Sequence, residues 1–229
     1  MIISHKYKFI FIKTHKTAGT SIEVFLSQHC GPDDVLTPIH PPVEPHVARN
    51  YEGFWNPFPE LVSGRFDDIG KTLRVLARRK KFYNHMPAAL VKQRVPAWIW
   101  NNYYKFCLER NPWDKVLSQY YRTSRNKRDS LSLDEYLSEK RIHCADSSLY
   151  LDRSGKLLVD EVLRYESLTE DLGRVFGRLG IPFDGSLGVQ AKSGYRTNKR
   201  PYQEELNSEQ RKLIEKIFFR EIQMHGYTF

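Results

Sequence analysis

The chain has 229 residues, 40% of them hydrophobic and 13% aromatic, with a formal charge of +9 at pH 7. That length and apolar share suit a single α/β domain with one sizeable core rather than two domains. The positive balance points to an anionic partner, namely nucleic acid, a membrane surface, an acidic glycan or a nucleotide, and does not by itself choose among them. Cys30, Cys107 and Cys144 are an odd set with no C-x-x-C pair, which signals neither a disulfide framework nor a zinc site and reads as three reduced thiols. The apolar run 9–12 is too short for a signal peptide or a membrane span, and no asparagine begins an N-x-[ST] sequon, so a cytoplasmic protein is expected.

Residues 7–13, YKFIFIK, alternate as a first strand does. Ile22, Phe25 and Leu26 then recur at helical spacing and predict a helix starting near Thr20. Residues 31–63 are rich in proline and glycine, lack a period, and are expected to form a long excursion near the active face. Ile69, Leu73, Leu76 and Ala77 mark another helix, ending in the basic run 78–81, and KFYNH (81–85) suggests a short strand before a helical turn in MPAALVKQ. The stretch 103–109, YYKFCLE, reads as a buried strand. It leads into a helix with Pro112 in its first turn and Trp113, Val116, Leu117, Tyr120 and Tyr121 on one stripe. A hairpin about Arg153, Ser154 and Gly155 is expected next, then a strand ending near Tyr165. A helix carrying Leu168, Leu172, Val175, Phe176 and Leu179 closes at Gly180 and Pro182. The polar loop 191–204 precedes a last helix with Leu213, Ile214, Ile217 and Phe218. Strands alternating with helices predict a three-layer α/β fold, one domain over 1–229, with a central, mostly parallel sheet flanked by helices and a ligand at the strands' C-terminal ends.

The stretch HKTAGTS (15–21) sits between the first strand and the first helix. Such a P-loop-like turn directs backbone N–H groups and a helix N-terminus at one point, where an anion is favoured. Gly19 permits close backbone approach, Thr20 and Ser21 offer hydroxyls, and Lys16 can place a positive charge over the bound group. An ordinary strand-to-helix turn with Thr20 as N-cap is the plainer alternative. A magnesium nucleotide triphosphatase fits less well, because the Walker pattern needs lysine directly after its second glycine, whereas Lys16 precedes Gly19.

With these residues the chain resembles the sulfotransferases that use 3′-phosphoadenosine 5′-phosphosulfate (PAPS), particularly the carbohydrate and heparan 2-O-type branch, where the first strand commonly leads into PKTAGTS. His15 stands here in the proline's place. The resemblance implies that Lys16, Thr17, Ala18, Gly19, Thr20 and Ser21 cradle the 5′-phosphosulfate, and that Arg110 and Ser118, in CLERNPWDKVLSQYY, grip the 3′-phosphate. Arginine's planar fork and the place of Ser118 off the helix's apolar stripe agree with that assignment. Weaker likeness runs through YNHMPA, the segment 163–182 and the final HGYTF, and so touches most of the chain outside 31–63.

Sulfuryl transfer to a hydroxyl needs a base, a cation for the leaving phosphate and in-line placement, and does not demand a metal. His85 is expected to be the base, with Glu109 and His15 as alternatives; Glu109, beside Arg110, also reads as orienting that arginine or closing a salt bridge. Lys16 is expected to stabilise the departing oxygen, and Lys199 and Arg200 to close over the 3′-phosphate. Expected partners are the nucleotide donor, leaving 3′-phosphoadenosine 5′-phosphate (PAP), and a hydroxyl-bearing glycan or small molecule that can be acidic; no nucleic acid and no membrane span are expected. A nucleotide or small-molecule kinase, and a non-catalytic nucleic-acid binder, are the competing classes.

Overall fold

A computed structural model of the chain describes residues 1–63, 66–124, 131–138, 142–189 and 200–229. In chain order its elements are β1 (Ile2–Ser4), β2 (Phe9–Phe11), α1 (Gly19–His29), β3 (Val35–Leu36), α2 (Phe58–Ser63), α3 (Phe66–Ala77), α4 (Ala88–Arg94), α5 (Ala97–Asn102) and β4 (Tyr104–Glu109). There follow α6 (Pro112–Ser124), α7 (Leu133–Ser138), α8 (Ser147–Tyr150), β5 (Glu161–Arg164), α9 (Leu168–Leu179), α10 (Tyr202–Glu205), α11 (Ser208–Ile217) and α12 (Phe219–His225).

The sheet order is β3-β1-β2-β4-β5. β1 runs antiparallel to both its neighbours, whereas β2, β4 and β5 pair in parallel, so β3, β2, β4 and β5 all point the same way. Period-two alternation puts Ile2, Phe9, Phe11, Phe106 and Leu108 on one face with Ile22, Phe25 and Leu26 of α1 and Leu172, Val175 and Phe176 of α9. Ile3, Ile10, Ile12 and Cys107 take the opposite face with Val91 of α4, Trp100 of α5 and Tyr150 of α8. Each large apolar side chain so buried contributes about 1.5–3 kcal/mol. These two clusters make the three layers. A third cluster beyond the sheet edge joins Trp113, Val116 and Leu117 of α6 to Tyr136, Ile214 and Phe218.

Several expectations change in detail. The first strand is preceded by a partner, β1, and the pair forms a hairpin with Ile3 opposite Ile10. Residues 81–85 are bends and turns rather than a strand: Phe82 N–H donates to Tyr51 O, and His85 has φ 53°. The segment 31–63 is not all excursion, because β3 extends the sheet and α2 contacts α3. The hairpin near Gly155 is present, with Leu151 bridging Leu157. Gly180, at φ 71°, ends α9 in the left-handed cap its sequence predicts.

Candidate active site

The chain leaves β2, β4 and β5 at the same edge of the sheet, and the residues that follow each strand line one cavity of about 990 Å3. Lys13 through Ser21 come from the β2–α1 connection, Arg110, Ser118 and Arg122 from the end of β4 and from α6, and Tyr165 from just past β5. His85 and Asn84 close one side, and residues 183–189 another.

The β2–α1 loop is held by its own hydroxyls, which sustain a strained backbone. Thr14 Oγ1 donates to Leu108 O at 2.5 Å and lies 2.8 Å from Thr17 Oγ1, which fastens the loop to β4. Lys16 and Ala18 both adopt left-handed backbone conformations, at φ 62° and 57°, and Ala18 is the N-cap of α1 with no side-chain cap. Thr20 is therefore inside the first helical turn rather than capping it. The first-turn N–H groups of a helix have no intrahelical acceptor, and such a helix start favours an anion. Gly19 is required sterically, because a Cβ there would stand 2.8 Å from Lys13 Cγ. Lys13 cannot yield freely, since it is buried with Nζ 2.5 Å from Glu23 Oε2.

Arg110 is pinned in place. Its Nε and Nη2 donate to Asp114 Oδ2 at 2.9 and 2.6 Å, its Nη1 donates to Lys16 O, and its guanidinium lies 4.1 Å from the Tyr165 ring centroid. Glu109 does not reach the guanidinium. Its carboxylate accepts the Arg110 backbone N–H and pairs with buried Lys115, away from the cavity, so its ion pair is with Lys115. Burial pushes Glu109 up to about 7, the charge of Lys115 opposing that shift.

Two histidines face each other across the cavity wall. The rings of His15 and His85 stack with centroids 3.8 Å apart and planes 6° from parallel. His85 Nδ1 is 3.1 Å from Lys13 O, which makes Nδ1 the donor and leaves Nε2 with its lone pair. Burial, then the positive charges of His15 and Lys13, hold His85 down near 2. No carboxylate is among the described residues lining the cavity, whereas Lys13, Lys16, Arg110 and Arg122 bring four cationic side chains to it. The arrangement is chemically an anion receptacle with a neutral imidazole beside it.

The structure thus brings Lys16, Thr17, Ala18, Gly19, Thr20, Ser21, Arg110, Ser118, His15 and His85 to one cavity, and does not bring Arg200 there; Lys199 lies outside the described residues. Sequence reasoning read Arg122 only as the start of a basic stretch favouring an acidic acceptor and did not assign it to this cavity, although it stands four residues beyond Ser118 and so one turn along the same face of α6. It also missed Tyr165, which reads equally as a core aromatic until Arg110 is seen against it. Among the described residues no group of three or more His, Cys, Asp or Glu is placed to hold a metal ion, and no helix is long and apolar enough to cross a membrane.

A strand-loop-helix cradle at the C-terminal edge of a three-layer sheet, loaded with cations, defines a class of proteins that bind phosphorylated or sulfated ligands. The chain matches the model of the Sulfotransferase family over residues 1–228 and belongs to that family. It is an enzyme of sulfuryl transfer in that coarse sense, its reaction joining a sulfate donor and a hydroxyl acceptor. An uncharacterized protein of Archaeoglobus fulgidus is 36% identical over 117 residues, a stretch covering 48% of this chain and 98% of that protein. The crystal structure of a sulfotransferase from Alicyclobacillus acidocaldarius aligns over 95% of this chain and 98% of its own, at 21% identity and a TM-score of 0.44.

Proposed function

We propose that the protein transfers a sulfuryl group from PAPS to the hydroxyl of a glycan or small molecule. One observation carries the reading: the loop 16–21 and the set Arg110, Ser118 and Arg122 converge on a single cavity that no carboxylate lines among the described residues. The donor set suits a nucleotide with anionic groups at both ends, and the volume falls at the upper end of the ordinary range for small-molecule sites. Asn84 Oδ1, buried beside His85 without a hydrogen-bond partner among the described residues, suits a ligand that brings a donor such as a hydroxyl.

Residues 16–21 would hold the 5′ end, and Arg110 with Ser118 the 3′-phosphate. Bound PAPS supplies a sulfuryl group on a phosphate leaving group. In this reading Lys16 would balance charge that grows on the leaving oxygen, and His85, through Nε2, would be the general base. Preorganised cations and placement then supply most of the acceleration, as in phosphoryl transfer.

A comparison of thermal shifts tests the donor. PAP is expected to raise the melting temperature by mass action, while ATP with magnesium and a mixed-sequence oligonucleotide do so weakly or not at all. A larger shift with magnesium ATP than with PAP would overturn the reading in favour of a kinase. A screen of glycan and small-molecule acceptors with sulfur-labelled PAPS then identifies what is modified.

A further inference from the structure

Behind His15 lies a buried charge cluster that a phosphate cradle does not require. Asp146, 1% exposed, accepts the His15 backbone N–H through Oδ2 at 2.6 Å, and its Oδ1 is 2.6 Å from His15 Nδ1. Lys115 Nζ, fully buried, is 2.7 Å from Asp146 Oδ2 and also bonds Glu109. The other oxygen of Glu109 accepts from Tyr150 O–H at 3.1 Å, and Tyr150 in turn meets His225 Nε2 at 3.2 Å.

The cluster therefore holds two carboxylates and one ammonium, and a buried uncompensated charge is costly. One proton balances it, with two places to go. Burial favours Glu109, but its ionised form already receives donors from Lys115, the Arg110 backbone and Tyr150. His15 touches Asp146 directly, keeps its side chain 32% exposed to the cavity, and has no protein partner at Nε2 among the described residues. An imidazolium there makes a charge-assisted bond to Asp146 and remains partly solvated. On the other side of the stack, His85 faces a backbone carbonyl and the positive charges of Lys13 and His15. Two imidazoles in face contact thus have different partners, a carboxylate for His15 and a backbone carbonyl for His85, an arrangement that can divide acid from base roles.

We propose that His15 is a second catalytic residue of this centre: an imidazolium held by Asp146, donating from Nε2 to an oxygen of the transferred sulfonate, while neutral His85 receives the acceptor's proton. The assignment rests on the PAPS reading above. His85 Nε2 takes the hydroxyl proton as the acceptor oxygen bonds to sulfur. The sulfur–oxygen bond to the donor's phosphate breaks with its electron pair left on that phosphate, and His15 keeps its proton throughout. Negative charge brought by the donor offsets His15 and Lys13, which raises the basicity of His85 only once the donor is bound. Asp146 is a positioning residue for His15, and Lys115 for Asp146.

Side-chain nitrogen NMR of the native protein without nucleotide reads the charge states directly. The expected result at neutral pH is His15 protonated on both nitrogens and His85 neutral with its proton on Nδ1. Calorimetry with PAP and PAPS supplies the second arm. His15→Asn keeps the backbone bond to Asp146, so PAP affinity is expected to hold while the preference for PAPS over PAP falls about tenfold. In Asp146→Asn, which loses the carboxylate that orients His15, the preference for PAPS over PAP is expected to fall as it does in His15→Asn. A neutral His15 at neutral pH in the native protein, or an unchanged PAPS preference in His15→Asn, overturns the proposal. Failure of the native protein to bind PAP overturns the donor reading, and the role given to His15 with it; PAP binding alongside a neutral His15 overturns that role alone.

Discussion

The guanidinium of Arg110 donates to the carbonyl oxygen of Lys16 across 3.1 Å, joining the end of β4 to the β2–α1 loop. Asp114 and the Tyr165 face fix the remaining orientation, so one side chain both positions the loop and lines the cavity. In Arg110→Lys a point charge survives but the planar fork does not, and the lysine cannot satisfy Asp114 and Lys16 O together with a phosphate. PAP affinity is expected to fall about 10- to 100-fold by calorimetry, as for loss of a charged hydrogen-bond donor. Unchanged affinity would remove Arg110 from the nucleotide site.

Lys16→Ala and His85→Ala are expected to part binding from turnover. Both variants should bind PAP, because the backbone N–H groups and Arg110 remain. Lys16→Ala should lose about 10²–10³ in the rate of labelled sulfuryl transfer, the usual cost of one electrostatic donor. His85→Ala should lose about 10²–10⁴, the usual worth of a general base. A native rate in His85→Ala would shift the base role to His15 rather than to Glu109, whose carboxylate is buried against Lys115 and outside the cavity.

Gly19→Ala tests the packing beneath the loop. The added methyl would meet Lys13 Cγ at 2.8 Å and Cε at 3.2 Å, and Lys13 is fixed by its buried pairing with Glu23. Overpacking of this kind costs about 1–3 kcal/mol, and the displaced loop should also weaken PAP binding. Denaturant titration giving native stability would show that Lys13 yields without cost.

The cradle was legible because its chemistry is local: HKTAGTS carries strand end, glycine and hydroxyls within seven consecutive residues. Ser118 was legible too, since its place off the α6 stripe follows from helical geometry. The cluster behind His15 was not. Lys115, Glu109 and Asp146 read as ordinary charged residues, and only tertiary packing puts all three at 0–1% exposure around one another. Nor does the polar run near Asp146 carry any period to announce a core position. β1 and β3 escaped for a related reason. Three-residue and two-residue strands are too short to display alternation, and their pairing with β2 and with each other comes from partners elsewhere in the chain.

The histidines also set the response to acid. His225, lowered to about 4 by burial and then by Arg164 and Lys115, and His85, lowered to about 2, are neutral in the fold and take up protons on unfolding once the pH falls below the ordinary 6.5. Their contribution is present above 6.5 and is lost as the pH drops toward those lower values. Glu109 acts with the opposite sign: raised from 4.5 to about 7, it binds a proton in the fold before the unfolded chain does, which adds stability as the pH falls through that window. Between 6.5 and 4.5 the unfolded chain binds two protons on these three groups to the fold's one, a contribution of about 1.4 kcal/mol per pH unit, and His29 and His46, also lowered by burial, act in the same direction. Below 4.5 Glu109 no longer offsets the histidines, and carboxylates held low in the fold, Glu23, Asp34, Glu161 and Asp171, add to the loss as they titrate. Solvent contact at His225 reduces its share. Urea midpoints measured across this range should fall with acid in the native protein and fall less in His225→Gln, which keeps an N–H donor for the Tyr150 oxygen but no titrating ring. Equal acid sensitivity in the two proteins would show that His225 is not held neutral by the fold.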